Sequence, residues 1–207
     1  MIDLPSTTAV HRRIQKEAFY SHLTLTPSLK ESFVRDVDRI FAENSLTQES
    51  LHLATDSPVK EILLLTIFLR RQDFDAKIVE AIARQNPHKL VFLLQVEDSG
   101  QLAVYYGKLY RTPWMPLPQL PLAAKGGTLA EIWQGMVAQI ALPKDDDATT
   151  GSLDERLARQ ERMHKLEKLI AKTEAAMWKE QQAKKRFELH EKLREYKKEL
   201  ENEENGV

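Results

Sequence analysis

The sequence predicts an α+β fold: a small mixed β-sheet packed with helices, followed by a long, charged C-terminal α-helix. Three observations carry that reading. Pro58 to Arg111 holds the densest apolar runs of the chain, cut into strand-length pieces. Helical patterns with capping residues at Thr26, Asp73 and Thr128 are spaced around them. From Ser152 to Asn205 there is neither glycine nor proline, and Glu, Lys, Arg, Leu, Gln and Ala dominate, the composition of one long helix.

Taken in order, Ser6 or Thr7 is positioned to cap a short helix through Ile14, Phe19 and Tyr20, with Arg12, Arg13 and Lys16 just ahead of the aromatic pair. Bases beside aromatics make these three cations candidate nucleic-acid contacts. Thr26-Pro27 opens a helix whose Leu29, Phe33, Val37, Ile40 and Phe41 recur at threes and fours up to Asn44. Asp36 and Asp38, two apart on that helix, read as solvated charges. A short strand is expected at Leu51–Leu53. Ile62–Leu69 is nearly all apolar, as a strand buried on both faces would be. Asp73 then caps a helix with Phe74, Ile78, Ala81 and Ile82 on one face, ended by Asn86-Pro87. A second buried strand, Leu90–Leu94, turns at Asp98-Ser99-Gly100 into an alternating strand, Leu102–Lys108.

The proline-rich segment after Arg111 excludes a regular helix or central strand. Its Trp114 reads either as a partner-docking residue or as a lid folded over the sheet. Thr128 caps a helix with the wide apolar face Leu129, Ile132, Trp133, Met136, Val137 and Ile140. The organisation that follows is a globular α+β domain at 1–142, a linker at 143–152 and a long, coiled-coil-like helix at 153–205. Within the linker, Asp145–Asp147 lack the spaced ligands of a calcium loop.

The C-terminal segment, roughly 75 Å long if unbroken, carries two apolar stripes. Met163, Leu166, Ile170, Thr173 and Met177 form one; Leu189, Leu193, Tyr196 and Leu200 form the other. The gap from Met177 to Leu189 breaks the heptad near Gln181-Gln182. A uniform homodimeric coiled coil is therefore disfavoured, and docking in two pieces on a partner or on the protein's own domain is expected. The partner-binding candidates are Leu166, Ile170, Met177, Leu189, Leu193, Leu200 and Trp114. Lys184, Lys185 and Arg186 join the candidate nucleic-acid contacts.

Several classes drop out on composition. With 207 residues, no cysteine and a formal net charge of −1, the chain offers no disulfide, no thiolate and no cysteine-ligated metal. The N-terminal residues do not form a signal peptide, and no apolar run approaches the ~20 residues of a membrane span. A soluble cytoplasmic protein is expected. The six histidines are scattered, and no nucleophile-elbow, P-loop or deaminase pattern is present, so no catalytic residue, metal or cofactor is assigned.

Leu4-Pro5-Ser6-Thr7, the pattern Ile14-x-Lys16-x-x-Phe19-Tyr20 and the strand–helix–Pro–strand core ending Leu90-Val91-Phe92 resemble the domain of unknown function 4391 family, over roughly residues 1–142. The resemblance implies a bacterial or archaeal source and a gene often beside those of a DNA methyltransferase and a helicase in restriction-like, antiphage operons. It supplies no catalytic residues. The expected function is a non-catalytic accessory or scaffold subunit of such an assembly, with other proteins as partners and DNA within the complex. The alternatives are a nuclease-like enzyme acting on DNA and a nucleic-acid-binding module.

Overall fold

Ile62–Leu69 lies inside its sheet with a strand on either side and both of its faces largely covered. The structure, a computed structural model, describes residues 2–55, 57–143 and 151–205, without the side chains of 18, 20, 21 and 205. The elements run β1 (Ile2–Asp3), β2 (Ala9–Ile14), α1 (Lys16–His22), α2 (Pro27–Asp36), β3 (Val37–Thr47), β4 (Glu61–Leu69), α3 (Lys77–Gln85) and β5 (Lys89–Val96). Then come β6 (Ser99–Tyr106), β7 (Lys108–Arg111), β8 (Met115–Pro116), β9 (Leu122–Ala123), α4 (Leu129–Ala141), α5 (Leu153–Lys179) and α6 (Ala183–Asn205). The chain divides into two compact units, Met1–Lys144 and Asp145–Val207. Most of the expected linker, residues 144–150 with Asp145–Asp147, lies outside the described residues.

The first unit is built on a mixed sheet in the order β2-β3-β4-β5-β6-β7, with β8 also paired to β6. Only β4 and β5 run parallel within it, joined through α3 as a crossover connection requires. β1 and β9 form a separate parallel pair. One face of the sheet packs Leu65, Ile67, Phe92 and Leu94 against Phe33 of α2 and Ile78, Val79 and Ile82 of α3. The other face buries Ile62, Leu64, Val91, Leu102 and Val104 where α4 lies over β4 and β6. Thr26 and Thr128 cap α2 and α4 as expected, accepting from the N–H of Leu29 and Glu131 at 3.3 and 3.2 Å. The α+β class with a mixed sheet and a long helical C-terminal segment is thus the observed one.

Several local expectations are corrected. The second helix stops at Asp36, and Val37–Thr47 is a strand. Bulges at Val37/Arg39 and Ala42/Asn44 set the buried residues of β3 at Val37, Ile40, Ala42 and Leu46, so a strand shows helix-like spacing; pairing along β4 overrides that local pattern. Arg12 and Arg13 stand on strand β2, not on a helix. Ser6 and Thr7 cap no α-helix: they lie in a short 3-10 turn, Ser6–Thr8, ahead of β2, and α1 starts only at Lys16. In that turn the Thr8 hydroxyl donates to the Pro5 carbonyl at 2.7 Å and accepts from Asn44 at 2.8 Å. Asp73 caps nothing, since α3 begins at Lys77, whose N–H donates to Asp75 at 3.0 Å. Leu51–Leu53 is turn rather than strand, and the hairpin turns at Glu97-Asp98, with Glu97 at φ 51°.

Asp36 is the largest departure, for its side chain is wholly buried rather than solvated. Its carboxylate accepts from Arg35 Nε and Nη2 at 2.8 and 2.9 Å, from Arg71 Nε at 3.1 Å and from the Asp75 N–H at 3.2 Å. Its carbonyl accepts from the Arg70 N–H at 2.9 Å. The Arg35 hydrogen bonds hold this carboxyl below its ordinary range, helped by the Asp75 N–H and the Arg71 charge, while burial opposes them. A lowered folded-state pKa means the contribution is complete above the ordinary carboxylate range and is lost as pH falls through the folded value. Asp36→Asn should therefore destabilise the first unit by about 1–3 kcal/mol near neutral pH, and the gap to the wild type should close in acid. Urea unfolding of both proteins across the acid range measures this; a gap independent of pH would remove the charge from the explanation.

Candidate interaction surfaces

Lacking glycine and proline, the C-terminal segment still reverses direction. α5 opens on a capping box, Ser152 accepting from the Glu155 N–H at 3.3 Å while Glu155 accepts from the Ser152 N–H at 2.7 Å. It closes where Glu180 turns extended, with its N–H on the Ala176 carbonyl at 3.1 Å. The Gln182 N–H bonds the Glu180 carboxylate at 2.9 Å, and α6 starts at Ala183. Three residues thus join two helices that pack on each other, an αα-hairpin of ordinary loop length. Ion pairs clip the arms together: Arg162 to Glu203 at 2.7 Å and Lys197 to Glu174 at 2.8 Å.

The long helical stretch is present, then, as two arms rather than one rod. Leu193 is buried, and Met163, Leu166, Ile170, Met177, Leu189, Tyr196 and Leu200 are half-buried. The stripes anticipated as two docking pieces for a partner or for the sheet domain are covered by one another. The twelve-residue gap in the sequence was the elbow. Trp114 takes the lid position, half-buried against the core of the first unit.

What the hairpin leaves uncovered is its elbow. Trp178 is 83% exposed and Phe187 65%, the two most exposed large apolar side chains among the described residues. With Met177, Ala183, Arg186 and His190 they line a concavity of about 570 Å³. Lys179, Lys184 and Lys185, all exposed, adjoin these residues in the sequence. Reading the sequence by periodicity passed over Trp178 and Phe187; the available signal was two aromatics lying off both stripes and flanking the break.

The N-terminal cations do not form one patch. Lys16 is committed, its Nζ donating to the Val37 carbonyl at 2.8 Å. Arg12 pairs opposite Ala42, a core residue, whereas Arg13 pairs opposite Phe41; residues directly opposite share a face, so the two arginines belong to opposite faces of the sheet edge. Elsewhere Glu61, at the start of β4, accepts from the Ser45 hydroxyl and meets His88 Nδ1 at 3.0 Å. There the carboxylate lies between hydroxyl and imidazole, so it ties β3 to the start of β5 and does not set a serine against a base. Among the described residues no group of three or more His, Asp or Glu could hold a metal ion, and no helix is long and apolar enough to cross a membrane.

A family model described as a domain of unknown function, DUF4391, matches residues 2–200. The chain belongs to that family. No curated protein and no solved structure matches it. Because the match extends beyond residue 142, nearly the whole hairpin is family domain rather than an appended tail.

The hairpin's dependence on its own stripe is testable. Leu193→Asp puts a charge where the wild-type side chain is 7% exposed, at a cost of about 2–4 kcal/mol. Far-UV circular dichroism should show an early helical melting step while the first unit keeps its own transition. An unchanged melting curve would mean that the arms are held otherwise.

Proposed function

We propose that the protein is a non-catalytic accessory subunit of a cytoplasmic, prokaryotic DNA methyltransferase–helicase assembly of the restriction-like, antiphage kind, and that the hairpin elbow docks it to a protein subunit. The observation that carries the reading is the exposure of Trp178 and Phe187 beside Arg186. Trp and Arg are the residue types that concentrate binding energy at protein interfaces. Side chains this exposed bury little apolar area, so the pair contributes little to holding the hairpin together. The setting among methyltransferase and helicase subunits rests on the resemblance of the sequence motifs.

Two facts favour an accessory role over a nuclease. Asp36, the buried acid at the sheet, is saturated by two arginines and an N–H, and Glu61 is occupied by Ser45 and His88. Neither is poised to receive a cation.

The experiment is co-expression with the neighbouring methyltransferase and helicase and affinity purification through this chain. The wild type should bring down a neighbour. Trp178→Ala with Phe187→Ala should weaken that association at least tenfold, as loss of ~2 kcal/mol or more at a hot spot does, with an unchanged melting curve. Normal assembly by the double variant, or divalent-cation-dependent DNA cleavage by the pure wild type, would overturn the reading.

A further inference from the structure

On the face of the sheet that carries α4, the half formed by β2, β3 and the end of β4 bears a row of flat side chains. Arg39 is opposite Phe68, and Phe41 is opposite both Arg13 and Thr66. All five therefore share a face. The β2 bulge between Ala9 and Arg12 adds a sixth group, His11, whose backbone is held at φ 36°. Positive φ is unfavourable for histidine, and bulges commonly re-aim a side chain in this way. Here the imidazole stacks on Phe41, ring centroids 5.3 Å apart and planes 22° apart. Phe41 meets Phe68 edge to face at 5.8 Å, and the Arg39 guanidinium lies 4.4 Å over the Phe68 ring.

Two planes at the ends of this row remain accessible: the His11 side chain is 74% exposed and that of Arg39 50%. Each rests on a phenylalanine and is held in place, His11 by Glu43 at 2.7 Å and Arg39 loosely by Asp38 at 3.8 Å. Around them stand Arg13 and Arg70, against the carboxylates Asp38 and Glu43. Pre-oriented imidazole and guanidinium planes with cations beside them suit unpaired bases and the phosphates that link them, whereas a duplex hides its base faces.

We propose that this half of the sheet is a stacking platform for single-stranded nucleic acid, with His11 and Arg39 each receiving a base and Arg13 a phosphate. The site is independent of the hairpin elbow and would stand if the elbow's protein partner proved different.

Fluorescence anisotropy of the full chain with labelled single strands of about 12 nucleotides, a length within the usual site sizes, tests it. The arms are oligodeoxythymidylate, the RNA of equal length and a DNA duplex. Single strands should bind more tightly than duplex, and preference between the first two arms identifies the natural strand. Arg39→Ala and His11→Ala should each weaken binding about tenfold, as loss of one stacked base does. Arg39→Lys, which keeps the charge and loses the plane, should not restore it. Arg13→Ala should lower both affinity and its salt dependence. Equal binding of duplex, wild-type affinity in Arg39→Lys, or no binding at low salt would overturn the platform. So would loss of binding in Trp178→Ala with Phe187→Ala but not in the sheet variants, because the strand would then sit on the hairpin. Melting curves confirm that each variant is folded, and Arg39→Lys, the mildest change, decides the matter if His11→Ala is not.

Discussion

The first unit depends on one buried carboxylate. Asp36 is the last residue of α2 and directly precedes β3, and it binds the segment that leads from β4 to α3 through Arg70, Arg71 and Asp75. A lone buried anion costs several kcal/mol, so such a group persists only where its acceptor sites are filled. Filling them here requires three pieces of chain to arrive together. The requirement stops the helix, sets the register at which β3 enters beside β4 and places the start of α3. Since both arginines remain about half exposed, their charges keep much of their hydration, and the arrangement avoids the full penalty of a buried ion pair.

How much of this was legible in the sequence follows from where the decisive interactions lie. Ile62–Leu69 and Leu90–Leu94 were readable because a strand buried on both faces must be apolar throughout, whatever surrounds it. Thr26 and Thr128 were readable because a cap is satisfied within one turn. Val37–Thr47 was not. Its two bulges shift the buried positions from a spacing of two to mixed spacings of three, two and four, and only the partner strand reveals it as a strand. Asp36 likewise looks like any surface aspartate until Arg71 and Asp75, 35 and 39 residues away, close on it.

The candidate surfaces divide in the same way. Both stripes of the C-terminal segment and the slip between them were visible, but periodicity reports that a face is covered and not by what. The covering face was the other half of the same segment. The stacking row on the sheet had no linear signature at all, since it joins β2, β3 and β4 through a bulge. Sequence proximity instead grouped Arg12, Arg13 and Lys16, which the strand's alternation and a backbone carbonyl separate.

The elbow's charge constrains what can cover it. Between Trp178 and Phe187 the chain has four cations, Lys179, Lys184, Lys185 and Arg186, and one anion, Glu180. A symmetric dimer through this surface would bring identical patches together, because a two-fold interface is made of the same surface twice. Eight cations would then face one another across an aromatic core, and like-charge juxtaposition of that kind costs several kcal/mol. Burying Trp178 and Phe187 against a second elbow would have to overcome that repulsion, whereas a surface carrying acidic residues around an apolar anchor meets none. On the proposed docking role, the aromatic pair would supply the contact and the lysines would favour an acidic surface of a different protein over a second copy of this chain.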